Sequence, residues 1–100
     1  MKYVIEWHSR AGGSAAENLA SSKRNMEVLS KWTPGGTMHQ FVQRVDGTGG
    51  FAVVEADDPA VVAKDCAIFA PFLEVGVHPV MDMPAAVGVL QQALDFTEHA

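Results

Sequence analysis

Glu6, His8, Glu55, Glu74 and His78 are the side chains of this sequence whose types and spacing suit proton transfer. Carboxylates and imidazoles are the usual general acids and bases, and a carboxylate in a partly apolar site is expected to have a raised pKa through desolvation. Phe51, Val53 and Phe72 are the large apolar side chains that can wall such a site, and Arg44 is a cation that can meet an anionic group. The expected chemistry, if any, is acid–base or oxygen-dependent. No H-x-x-x-H, H-E-x-x-H or C-x-x-C spacing is present, so neither a metal nor a cofactor is expected.

Other chemically suggestive residues read differently. Cys66, the one cysteine, falls mid-helix on an apolar side and is expected to be an inert packing residue. The run Gly47 to Gly50 joins two strands and precedes no helix, so it is a turn and not a phosphate loop. Trp7 shares parity with Tyr3 and Ile5 and is expected in the core. Trp32, beside Pro34, suits either a core or a site.

These side chains need elements to position them. Lys2 to His8 alternates in type, the mark of a half-buried strand. Ser14 and Glu17 have capping-box spacing and start a helix that Pro34-Gly35-Gly36 stops after Trp32. Met38 to Val45 and Phe51 to Ala56 form a hairpin about a glycine-rich turn, and Asp57-Asp58-Pro59 opens a second helix ended by Pro71. Phe72 to Val80 is a fourth strand. Asp82 and Pro84 begin a last helix with the apolar stripe Val87, Leu90 and Leu94.

The order β-α-β-β-α-β predicts a ferredoxin-like α+β domain over residues 1–100, with two helices on one sheet face and an extra helix at the end. Strand parity then sorts the side chains. Tyr3, Ile5, Trp7, Ala52, Val54, Ala56, Leu73, Val75 and Val77 fall on the helix side. Val4, Glu6, His8, Phe51, Val53, Glu55, Phe72, Glu74, Gly76 and His78 fall on the open side. The second strand admits two settings: one puts Val42 and Arg44 on the open face, and a one-residue slip replaces them with His39, Phe41 and Gln43. The open face therefore reads either as a pocket for a small ligand or as an ordinary solvated surface.

A chain of 100 residues, 48% hydrophobic, fits one domain. Seven basic residues against twelve acidic ones argue against a nucleic-acid partner. No leader-like start and no apolar run near the roughly 18 residues of a bilayer span is seen. The lone cysteine fits a reducing compartment. The expectation is a cytoplasmic protein with no membrane association.

The opening MKYVIEW, the helix end SKW, the segment HQFVQRVDGTGGFAVVEADDPA, the APF before the fourth strand and the downstream P-V-M-D together resemble the small bacterial domain-of-unknown-function 3303 family. The pattern is also similar to the wider dimeric α+β barrel group, in which ferredoxin-like sheets meet through their open faces. That resemblance implies a homodimer, and the group includes cofactor-free monooxygenases, isomerases, haem-degrading enzymes and proteins without known catalysis. Two readings follow. In one, a homodimer binds a small, partly apolar molecule at the open face. In the other, a non-catalytic interaction domain has that face covered by a partner or by its own last helix.

Overall fold

The computed structural model describes residues 1–10 and 12–100. Its elements run β1 (Lys2–Ser9), α1 (Ala15–Lys31), β2 (Thr37–Gln43), β3 (Gly49–Glu55), α2 (Pro59–Phe69), β4 (Leu73–Val80) and α3 (Met83–His99). The sheet order is β2-β3-β1-β4, with every neighbouring pair antiparallel. This is the interlocked pair of split β-α-β units of a ferredoxin-like α+β fold. β4 starts at Leu73, so Phe72 lies in the turn before it, where its carbonyl accepts from the Arg10 amide.

Local chemistry explains the starts and stops. The amide of Glu17 donates to Ser14 Oγ and the amide of Ser14 to Glu17 Oε1, at 3.1 and 3.3 Å, closing the capping box of α1. Asp58 accepts from the Ala60 amide at 2.9 Å, with Pro59 in the first turn of α2. In the β2–β3 hairpin, Gly47 adopts φ +75° and Asp46 accepts from the amide and hydroxyl of Thr48. A left-handed residue there is cheapest as glycine.

β1 and β3 pair Tyr3 with Val54 and Ile5 with Ala52, and Tyr3 and Ile5 pack in one cluster with Val61, Val62 and Cys66 of α2. The buried core is small: Tyr3, Ala52, Val54, Ala56 and Val62. α1 and α3 contain no buried residue. The molecule measures 62 × 25 × 22 Å, with a radius of gyration of 17.7 Å, against about 13 Å for a compact chain of this length. An eight-residue strand spans about 26 Å and a 17-residue helix about 25 Å. The long axis is accounted for if α3 runs outward beyond the sheet. It does not fold back over its own open face: apart from Ala86, every residue of α3 is exposed. Asp82 makes no capping bond to this helix. Its carboxylate is engaged by Lys2 Nζ at 2.7 Å, which ties the root of α3 to β1.

Candidate functional site

Two surfaces compete for the role of site. The open sheet face carries the side chains with acid–base chemistry, and a cleft on the helix side carries the concavity.

On the open face, the β1–β4 register sets His8 beside Glu74 and Glu6 beside Gly76. The Glu6 side chain lies across Gly76, where a Cβ would approach its Oε1 to 3.0 Å, and reaches His78 Nε2 at 3.3 Å. Phe51 stands between Glu6 and Val42, and Val53 between Val4 and Gln40. β2 resolves its two possible settings by a bulge between Met38 and Gln40, where His39 is the extra residue. Both His39 and Val42 therefore reach the open face, while Phe41 and Gln43 turn to the helix side. His39 Nε2 donates to Glu55 Oε1 across 2.8 Å. That bond lowers the Glu55 carboxyl below its ordinary value, with minor help from the charges of His39 and Lys2. For Glu55 this reverses the expected rise, because the donor from His39 outweighs the desolvation that pushes the other way. Arg44 is taken up locally, in an ion pair of 2.6 Å with Asp46 in the hairpin turn. The face thus brings Glu6 to His78 and His8 to the side of Glu74.

An apolar concavity lies on the other side of the sheet. Ile5, Trp7, Ala52, Val54, Leu73 and Val75 floor it, β2 contributes Met38 and Phe41, and Met26, Leu29, Trp32, Cys66 and Phe69 close it from the helices. Its volume is about 260 Å³. Four aromatic rings join edge to face around it: Trp7–Phe41 at 5.4 Å, Phe41–Trp32 at 6.1 Å and Trp32–Phe69 at 5.0 Å between centroids. Such pairs fix ring orientation beyond what area burial does. Asp65 on α2 anchors the far wall, accepting from Trp32 Nε1 at 3.1 Å and from the Gly35 amide at 3.0 Å. Gly50 lies against the Trp7 indole and the Val42 carbonyl, with no room for a Cβ.

Polar groups in the cleft are few. Asn25 Oδ1 is the notable one, a buried acceptor with no hydrogen-bond partner among the described residues. The Cys66 thiol also lines the cleft, its pKa pushed up by burial and then by the neighbouring Asp65 charge, as befits a packing thiol. Among the described residues, no three His, Cys, Asp or Glu side chains converge as a metal site requires. No helix among them is long and apolar enough to cross a membrane.

Parity reasoning placed the cleft's floor correctly but assigned it to a filled core. Asn25, Asp65 and Phe69 were missed as site residues, Phe41 was expected there only on the open face, and Trp32 suited either a core or a site. One signal was readable, since Asn25, Leu29 and Trp32 share a stripe at i, i+4 and i+7. A polar residue in an otherwise apolar stripe marks a place where the helix faces something besides hydrocarbon.

No curated protein matches the chain. Among solved structures, a similar one is described as a candidate antibiotic biosynthesis monooxygenase from Deinococcus radiodurans. It is 9% identical, with 82% of this chain and 94% of that one covered and a TM-score of 0.45. The fold assignment rests on this chain's own strand order and registers. The family described as domain of unknown function DUF3303 matches residues 1–94, and the chain belongs to that family.

Proposed function

We propose that the protein is a homodimer that binds a small, largely apolar molecule bearing one hydrogen-bond donor, held in the cleft between the sheet and α1 and α2. The observation that carries this is the pairing of an aromatic-lined cavity with the unpartnered Asn25 Oδ1. A buried acceptor left without a donor costs roughly 1–3 kcal/mol, and a ligand hydroxyl or amide would recover it once the Asn25 amide, whose oxygen is closed off from solvent, turns toward the ligand. A volume near the lower end of small-molecule sites, about 300 Å³, suits a one- or two-ring compound.

1-Naphthol and naphthalene form a matched pair of probes, and Trp7 and Trp32 report from within the cleft. Saturable binding of 1-naphthol is expected, with calorimetry and tryptophan emission agreeing on one site per chain. Asn25→Leu should weaken 1-naphthol about five-fold, the equivalent of roughly 1 kcal/mol, and leave naphthalene unchanged. Equal loss for both probes, or no binding of either, would remove the cleft as the site.

The contact between Glu6 and His78 favours a second reading. Here acid–base chemistry takes place on the open face through Glu6, His8, Glu55, Glu74 and His78, with Phe51, Val53, Phe72 and Arg44 as ligand contacts. It requires that face to be enclosed by another molecule with room left for a substrate. Replacing Glu6 and His78 together by alanine separates the two readings, since cleft binding should not change.

A further inference from the structure

We propose that α3 of each copy seats on the open sheet face of a second copy, in a reciprocal exchange about a two-fold axis. This rests on the homodimer of the reading above and is independent of the cleft.

The first observation is area. The chain exposes 7195 Å² at 10.7 kDa, whereas a compact monomer of that mass exposes about 5500 Å². The excess, about 1700 Å² per chain, doubles to about 3400 Å² for a pair, within the range of obligate homodimers. With five buried apolar side chains among the described residues, much of the core is left to be completed from outside.

The second observation is the shape of the apolar surface on α3. At 3.6 residues per turn, Met83, Val87, Leu90 and Leu94 form one line, and Val89 and Phe96 widen it to about half the helix circumference. Leu90, Leu94 and Phe96 are 58, 57 and 77% exposed. A two-helix seam needs only a narrow stripe, while an arc this broad is what a helix turns toward a sheet.

The third observation is that the matching seat exists in the same chain. The open face has an apolar centre of Val4, Val42, Phe51 and Val53, with Val42 half-exposed at 50%. Among the described residues no layer covers it, although a sheet is normally packed on any apolar face. The length of α3, about 25 Å, equals the span of β1 and β4. If the sheets met each other instead, the arc on α3 would remain in water. In a two-fold exchange both copies cover both surfaces, and the assembly closes at two.

The test uses the full chain with Cys66→Ala to remove the native thiol. Phe51→Cys and Leu90→Cys are prepared separately and also co-expressed, and each sample is treated with a flexible bis-maleimide. The co-expressed pair should give a cross-linked dimer several-fold above either single substitution. A dimer from Phe51→Cys alone would mean sheet against sheet, and one from Leu90→Cys alone would mean helix against helix. Either result overturns the proposal, as does the absence of any cross-link. As a second measurement, Leu90→Asp with Leu94→Asp should convert the dimer to a monomer by light scattering. The near-ultraviolet circular dichroism of Trp7 and Trp32 should stay native, which reports the fold without reference to ligand. A dimer that survives both substitutions overturns the exchange, whatever 1-naphthol does in the cleft.

Discussion

The cleft under α1 and the bare side of α3 are both apolar and both unfilled by the chain itself, but they differ in curvature and in what borders them. The cleft is concave, ringed by Trp7, Phe41, Trp32 and Phe69, and holds one unpartnered acceptor. The side of α3 is convex, broad and without a polar group that requires a partner. A concave apolar surface can surround a small molecule, whereas a convex one can be dried only by another surface. The two surfaces therefore call for different occupants, a ligand and a second copy.

Substitutions that act on one surface and spare the other sharpen this contrast. The largest effect is expected from Leu90→Asp with Leu94→Asp, which should raise the dimer dissociation constant more than 100-fold by sedimentation and leave 1-naphthol binding intact. Asp65→Ala should do the reverse. It removes the acceptor shared by Trp32 and the Gly35 amide, costs about 2 kcal/mol in urea unfolding, and loosens the cleft while the dimer stays assembled. Gly50→Ala forces a Cβ into the Trp7 indole and the Val42 carbonyl. Such overpacking typically costs about 1–3 kcal/mol, and a red-shifted Trp7 emission would accompany it.

Ser14→Ala should cost about 1 kcal/mol. α1 has no buried residue, so its cap is a larger share of what holds the cleft wall than a cap usually is. The smallest effect belongs to Glu55. Its folded pKa lies below the ordinary 4.5 because His39 donates to it. Stability from this bond is present above that value and is lost as pH falls through the lowered pKa. Acid titration of the melting temperature should therefore be slightly shallower in Glu55→Gln than in the natural protein. An identical acid limb in the two would show that the bond adds no stability.

Local chemistry made the elements legible: the capping box at Ser14 and Glu17, the Asp58-Pro59 start and the glycine turn at Gly47 each act within a few residues. Face assignments on β1, β3 and β4 were legible because a period of two admits no compromise. The bulge at His39 was not, since neither glycine nor proline marks it and only the partner strand's register reveals the extra residue. The cleft was hidden for a different reason. Helical periodicity shows that Leu29 and Trp32 face inward, but not how near α1 approaches the sheet. A space between them looks the same in sequence as a packed core. The stripe on α3 likewise announced a buried side without saying which molecule buries it.

The central claim is that the single chain is an incomplete structure, finished by a second copy through α3. Absolute mass by light scattering at low micromolar concentration tests it most directly. The expected result is twice 10.7 kDa for the natural sequence, with no monomer on dilution through that range. A mass of one chain would contradict the claim, leaving the excess surface of α3 and of the open sheet face without an occupant.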